Sequence, residues 1–178
     1  VTLGALGVGI SVMRLSEETP WTEDIVTAIG ERRSLALDDG SFIHLDVATR
    51  LKYRLTPVLR EVALGFGQAE FVVADDVKRP FLVHSGARDM RSGKAMFDVR
   101  DRQGWTNVAV REGVVAISQD AAAKNGAWPG NAAVLHSGEA VSYATGNIQP
   151  VRSVPLQHIG EWRKLVLTYD QTPLRDIV

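Results

Sequence analysis

The segment 29–53, IGERRSLALDDGSFIHLDVATRLKY, constrains the fold more than any other part of the chain. Two runs of alternating apolar and polar residues flank Asp39 and Gly40, a dipeptide suited to the positive φ of a tight hairpin turn. Strand side chains alternate between faces. Leu35 and Leu37 therefore point one way, and Ile43, Leu45 and Val47 share a face on the next strand. The pattern predicts a hairpin with one buried face.

The same period continues along the chain. Further alternating segments lie at 24–29, 50–55, 60–65, 69–74, 80–84, 87–91, 95–100, 106–111, 114–118, 132–136 and 139–144. Glycine, aspartate and serine pairs separate them at intervals typical of all-β architectures. The prediction is an all-β domain over 24–145, with antiparallel sheets in a sandwich-like or solenoid-like arrangement. The stretch 120–131, which carries Trp128 on a Pro-Gly turn, reads as an extended loop. Pro150 and Pro155 mark 146–161 as a linker, with a short helical turn over 156–162. Alternation returns over 164–169, and Thr172 followed by Pro173 is a suitable start for a helix. Residues 162–178 therefore read as the start of a small, truncated α+β module.

Composition removes several classes of function. Twenty Lys and Arg against 21 Asp and Glu leave a net charge of −1, and the basic residues form no stripe, which argues against nucleic acid. The absence of cysteine excludes disulfides, thiolate metal sites and cysteine nucleophiles in this sequence. The run VTLGALGVGISVM at the start carries no charge until Arg14. Shorter than the ~20 apolar residues of a spanning helix, residues 1–14 read as the end of one, followed by a polar linker over 15–23. A buried strand or an N-terminal arm is the alternative for the same run.

No catalytic constellation emerges. His44, His84, His136 and His158 lie on separate segments without metal-ligand spacing. His44 and Asp46 share a strand face, but it is opposite to Ile43, Leu45 and Val47 and is expected to be the solvated side. Gly65-Phe66-Gly67 precedes no helix and reads as a turn or bulge rather than a phosphate loop. The acidic pairs Asp38-Asp39 and Asp75-Asp76 read as solvated turn residues. The expected class is a non-enzyme without cofactor or metal.

The order of elements resembles the periplasmic domain of the FecR-like family. The carrying residues are T-x-x-G-E-R-R at 27–33, L-x-D-G-S at 37–41 and an S-x-L element with Thr49 for serine before Leu51. After them come L-x-x-G-x-A-x-F-x-V at 64–73, R-P-F-x-V at 79–83, a Gly-Thr…Phe-x-Val element at 93–99 and V-x-x-G-x-V at 110–115. Lys94 replaces the threonine of the sixth element, and Asp46 stands where asparagine is common. At 162–174 the W-x-x-G-x-L-x-F-x-x-T-P-L pattern is similar to the start of an STN-like module, with Leu165 for glycine and Tyr169 for phenylalanine.

This resemblance implies the periplasmic part of a single-pass regulator of the bacterial inner membrane, an anti-sigma factor. Its partners would be the periplasmic signalling domain of an outer-membrane TonB-dependent transducer and, through a cytoplasmic domain, an extracytoplasmic-function sigma factor. Such systems govern uptake of ferric siderophores or other scarce nutrients. Partner contact is expected at Trp162, Leu167 and Tyr169. The competing class is a β-sandwich module binding carbohydrate or a surface polymer, for which Trp21, Trp105, Trp128 and Trp162 would supply stacking rings.

Overall fold

A computed structural model of the chain describes residues 20–22, 24–118, 132–145 and 147–164. Its alternating segments join one hydrogen-bonded sheet of twelve strands. These are β1 (Ile25–Val26), β2 (Arg33–Ala36), β3 (Phe42–Leu45), β4 (Arg50–Leu55), β5 (Arg60–Val73) and β6 (Phe81–Ser85). β7 (Arg88–Arg102), β8 (Trp105–Ile117), β9 (Ala133–His136), β10 (Glu139–Ala144), β11 (Asn147–Ile148) and β12 (Arg152–Ser153) complete it. Among the described residues every ladder is antiparallel except that between β5 and β6.

Three long strands fold this sheet into two halves. Residues 60–66 of β5 lie between β4 and β6, whereas 67–73 lie between β3 and β7. β7 and β8 make the same passage, with register shifts after Ser92 and Met96. The halves face each other across one core. The Phe71 ring of the second half meets Phe81 of the first at 6.0 Å, and the Tyr143 hydroxyl donates to the Ser85 carbonyl at 3.4 Å. Val62, Val83, Met90 and Ile117 fill the core from one side, and Ile43, Leu45, Phe97 and Val99 from the other. The open ends at β1 and β11 make this a sandwich-like sheet and not a closed barrel.

The hairpin at Asp39 and Gly40 forms as the alternation requires. Leu35 pairs with Ile43, Gly40 has φ +83°, and the Leu37 amide donates to the Ser41 carbonyl at 2.8 Å. Strand lengths differ from the sequence expectation. Glycines that read as turns at 65–67, 92–93 and 112–113 sit inside β5, β7 and β8, where they let long strands bend from one half to the other. Gly67 shows the physical reason. Its φ is +101°, and a Cβ there would lie 2.5 Å from Thr49 Cα. The Thr49 hydroxyl fills the interrupted ladder instead, donating to the Gln68 carbonyl at 3.1 Å and accepting from the Gln68 amide at 3.0 Å.

Asp39 departs from its reading as a solvated turn residue. Its carboxylate accepts from the Ser41 amide and hydroxyl and from Arg60 Nη1 at 2.9 Å. The Arg60 and Asp39 side chains are 0% and 1% exposed. Arg60 also donates to the Arg79 and Ala74 carbonyls, so one guanidinium ties the hairpin to the crossing between β5 and β6. Asp76 conforms better, accepting from the Lys78 and Arg79 amides in its own turn.

Candidate functional site

The outer face of the second half-sheet carries the densest polar chemistry of the described residues. Register places one residue per strand in a row: Ser34, His44, Glu70, Asp98, Ala109, Ala140 and Arg152. The row begins polar, becomes acidic at its centre, passes over two small residues and ends on Arg152. Alternation alone would leave it in water. Instead Glu70 is fully buried, Asp98 nearly so, and Asp46 lies buried beside them.

The cover is the chain's own C-terminal segment. β11 and β12 pair with β10, after which 3-10 turns at Leu156–His158 and Glu161–Lys164 lie over the sheet. Thus 156–162 contains the expected helical turn, broken by Gly160 at φ +66°. Ile159 and Val154 pack on Ala109 and Ala140, whose short side chains leave room for them. Trp162 Nε1 donates to Asp98 Oδ2 at 2.6 Å, and Arg163 pairs with Glu70. Gly160 sits so close to Glu70 Oε1 that no Cβ fits between them, and Arg111 Nη2 would be only 3.0 Å from such a Cβ.

The GERR element reaches the same place. Gly30 shapes a turn in which the Ala28 amide donates to Glu31, and Arg32 Nε then donates to Asp46 at 2.8 Å. The Arg32 guanidinium also lies 5.7 Å from the centroid of the Trp162 ring. Aspartate at 46, where asparagine is common in the resemblance, thus provides an ion pair. On the face assigned to solvent Asp46 is buried and His44 half-buried, because a segment more than 100 residues downstream covers it. His44 itself shares a 2.8 Å hydrogen bond with Ser34.

Burial shifts the charges here. Loss of water pushes the Asp98 carboxyl up to about 6, against the hydrogen bonds from Trp162 and Gln68, with Glu70 and Asp46 adding repulsion. Burial lowers His44, and the Arg163 guanidinium lowers it further. Glu70 Oε1 accepts no hydrogen bond and is 3.6 Å from Arg111 Nη2. Three buried carboxylates thus face Arg32, Arg111 and Arg163, whose side chains stay partly open to water.

Beside this layer, toward β10, opens a cleft of about 670 Å³, lined in part by Arg100, Arg102, Trp105, Asn107, Arg152 and Trp162. Trp105 and Trp162 line it together. Trp21 belongs to the first half, where Arg54 and Lys52 lie over its ring at 4.8 and 5.4 Å from the centroid. Trp128 lies outside the described residues. Of the expected partner residues, Trp162 is half-buried in the ionic layer, while Leu167 and Tyr169 lie outside the described residues, as do residues 1–14. No helix among the described residues is long and apolar enough to cross a membrane. Among those residues, no group of three or more His, Cys, Asp or Glu is placed to hold a metal.

Arg32, Glu70, Asp98, Arg111 and Arg163 were not singled out by spacing. The available signal was weak: Glu70, Asp98 and Arg111 are charges on long strands that have partners on both sides, and Arg32 stood in the G-E-R-R element.

The family model for the FecR protein matches residues 23–116, more than half of the 178 residues. No curated protein sequence matches the chain. Two crystal structures of a candidate anti-sigma factor from Parabacteroides distasonis, at 2.50 and 1.65 Å, share the fold. Each superposes with a TM-score of 0.71 at 24% identity. The alignments cover 89% and 88% of this chain and 71% of the other in both cases. The matched span runs through both halves of the sheet, and the chain belongs to the FecR family of non-catalytic signalling domains.

Proposed function

We propose that this chain is the periplasmic signalling part of a single-pass anti-sigma regulator of the inner membrane. It relays a signal from an outer-membrane TonB-dependent transducer to an extracytoplasmic-function sigma factor, in the service of ferric-siderophore or other nutrient uptake. The observation that carries this reading is the family match over 23–116, supported by the fold shared with the candidate anti-sigma factor. Residues 1–14 would end the membrane helix, and the polar segment 16–22 would offer a site for regulated proteolysis.

Trp162, Leu167 and Tyr169 form the proposed contact with the transducer. An alternating strand at 164–169 could be extended by a partner strand through main-chain hydrogen bonds, with side-chain pockets giving selectivity. The preceding residues are held on the sheet by Trp162 to Asp98 and Arg163 to Glu70. A partner that binds one arrangement of this segment better than the other shifts the docked population, which is the physical content of a relay. The test is a pull-down with the transducer's periplasmic domain, comparing the full chain with one ending after Lys164. Capture by the full chain and loss in the shortened one is the expected result, and no capture by the full chain would sink the reading.

A second reading is favoured by one observation. Trp105 and Trp162 line a single cleft with Asn107 and Ser142, a lining compatible with a saccharide. Titration with surface polysaccharides separates it from the first.

A further inference from the structure

The cleft beside the ionic layer is unbalanced in charge. Arg100, Arg102 and Arg152 line it, and none has a carboxylate within ion-pair distance among the described residues. All three are exposed. Two carboxylates share the lining, but Asp98 is buried and its oxygens are taken by Gln68 at 2.8 Å and Trp162 at 2.6 Å. Only Glu161 is left to answer three cations.

The lining is also mixed. Arg100 and Arg102 occupy alternate positions of β7, and two residues of extended chain advance about 7 Å. Carboxylates on alternate residues of an extended peptide repeat at that same interval. The same cleft is lined by Trp105, 45% exposed, and Trp162, with Ala109, Val154 and Ile159 as an apolar floor. A bare anion would leave the rings and the floor unused. A neutral saccharide would leave the arginines unused.

We propose that this cleft binds an extended acidic segment of the signalling partner, its carboxylates taken by Arg100, Arg102 and Arg152 and its apolar side chains held between Trp105 and Trp162. Arginine suits the task because its planar fork meets a carboxylate with two donors. The inference rests on the reading of the chain as a transducer-sensing domain and names the chemistry of the surface that does the sensing. Because Trp162 forms one wall and also bonds Asp98, occupancy of the cleft bears directly on the docking of the C-terminal segment.

Calorimetric titration of the full chain tests it with four probes: a peptide with glutamate at alternate positions, its lysine counterpart, polygalacturonate, and the transducer's periplasmic domain. The glutamate peptide is expected to bind, and the lysine peptide not to. Affinity should fall about tenfold or more in the combined variant Arg100→Ala, Arg102→Ala, Arg152→Ala, and should weaken as salt is raised. Those side chains are exposed and unpaired, so the variant should keep the wild-type melting temperature. Failure of the glutamate peptide to bind, equal affinity in the variant, or arginine-dependent binding of polygalacturonate in its place would each overturn the proposal. The transducer domain separates the two ideas. If it binds wild type and variant alike, the cleft is not the sensing surface while the functional reading stands. If it binds neither, the functional reading fails, and arginine-dependent peptide binding remains as a property of the cleft alone.

Discussion

The two faces of the second half-sheet are built from the same strands and each buries side chains, the outer one only in part, by opposite chemistry. Inward, Phe71 pairs with Phe97 at 5.2 Å and Ala69 with Val99, packed against the other half of the sheet. Outward, Glu70 pairs with Asp98 and Gln68 with Arg100, beneath or beside a segment of 3-10 turns. The inner face excludes water because apolar area is removed from it, which stabilises the fold without regard to direction. On the outer face, desolvation opposes the ion pairs, so it contributes little net stability and instead fixes where the C-terminal segment sits. One face holds the domain together. The other positions a lid.

Removing core volume should have the largest effect. Phe71→Ala leaves a cavity at the meeting point of the two halves and is expected to cost about 3–5 kcal/mol in denaturant unfolding. A loss under about 1 kcal/mol would show that the two halves do not share a core. Asp39→Ala comes next. It strands the Arg60 guanidinium in a site that is 0% exposed, with an expected cost of about 3 kcal/mol. Chemical denaturation measures it, and a neutral result would mean that water reaches Arg60.

The outer face should respond to pH where the inner face does not. Asp98 ionises near 6 in the folded chain, above its ordinary value of 3.8. The folded state therefore binds the extra proton between about pH 4 and 6, and the contribution of this group to stability falls as pH rises through that window. Asp98→Asn should flatten this slope and raise stability at pH 7 by on the order of 1–3 kcal/mol. Unchanged pH dependence in melting curves of the variant would count against a desolvated Asp98. The smallest global effect is expected from Gly160→Ala. The added methyl group meets Glu70 Oε1 at a positive φ and should lift the lid while the core stays folded. Proteolysis at 156–164 should then accelerate with little change in melting temperature, and equal cleavage rates would show that the lid tolerates the methyl.

Much of the sheet was legible because it follows from period 2. Leu37, Ile43 and Leu45 are buried as their alternation requires, and β4 has the bounds expected of it. What alternation cannot resolve is a glycine that bends a strand against one that ends it. Gly67 adopts a positive φ, as turn glycines do, but the Thr49 hydroxyl carries the ladder past it. Asp39 misled in a similar way. Its turn chemistry is present in the bonds from Ser41, but the arginine that buries it is 21 positions downstream. The site was less legible than the fold. Trp162 was singled out, but its hydrogen-bond partner lies 64 positions away and the stacking Arg32 still farther.

By itself the sequence determined the class of fold, the hairpin at Asp39 and Gly40 and the run of elements that identifies the family. Each of these is written in residues close together in the chain, where side-chain period and turn preference act locally. Only the tertiary structure decided that the outer face of the second half-sheet is covered, that Asp98 and Glu70 are buried, and that three arginines open onto one cleft beside two tryptophans. Alternation says which side of a strand a residue occupies. What lies across from that side depends on contacts between segments far apart in the chain, and a carboxylate pattern is the same whether water or Trp162 stands above it.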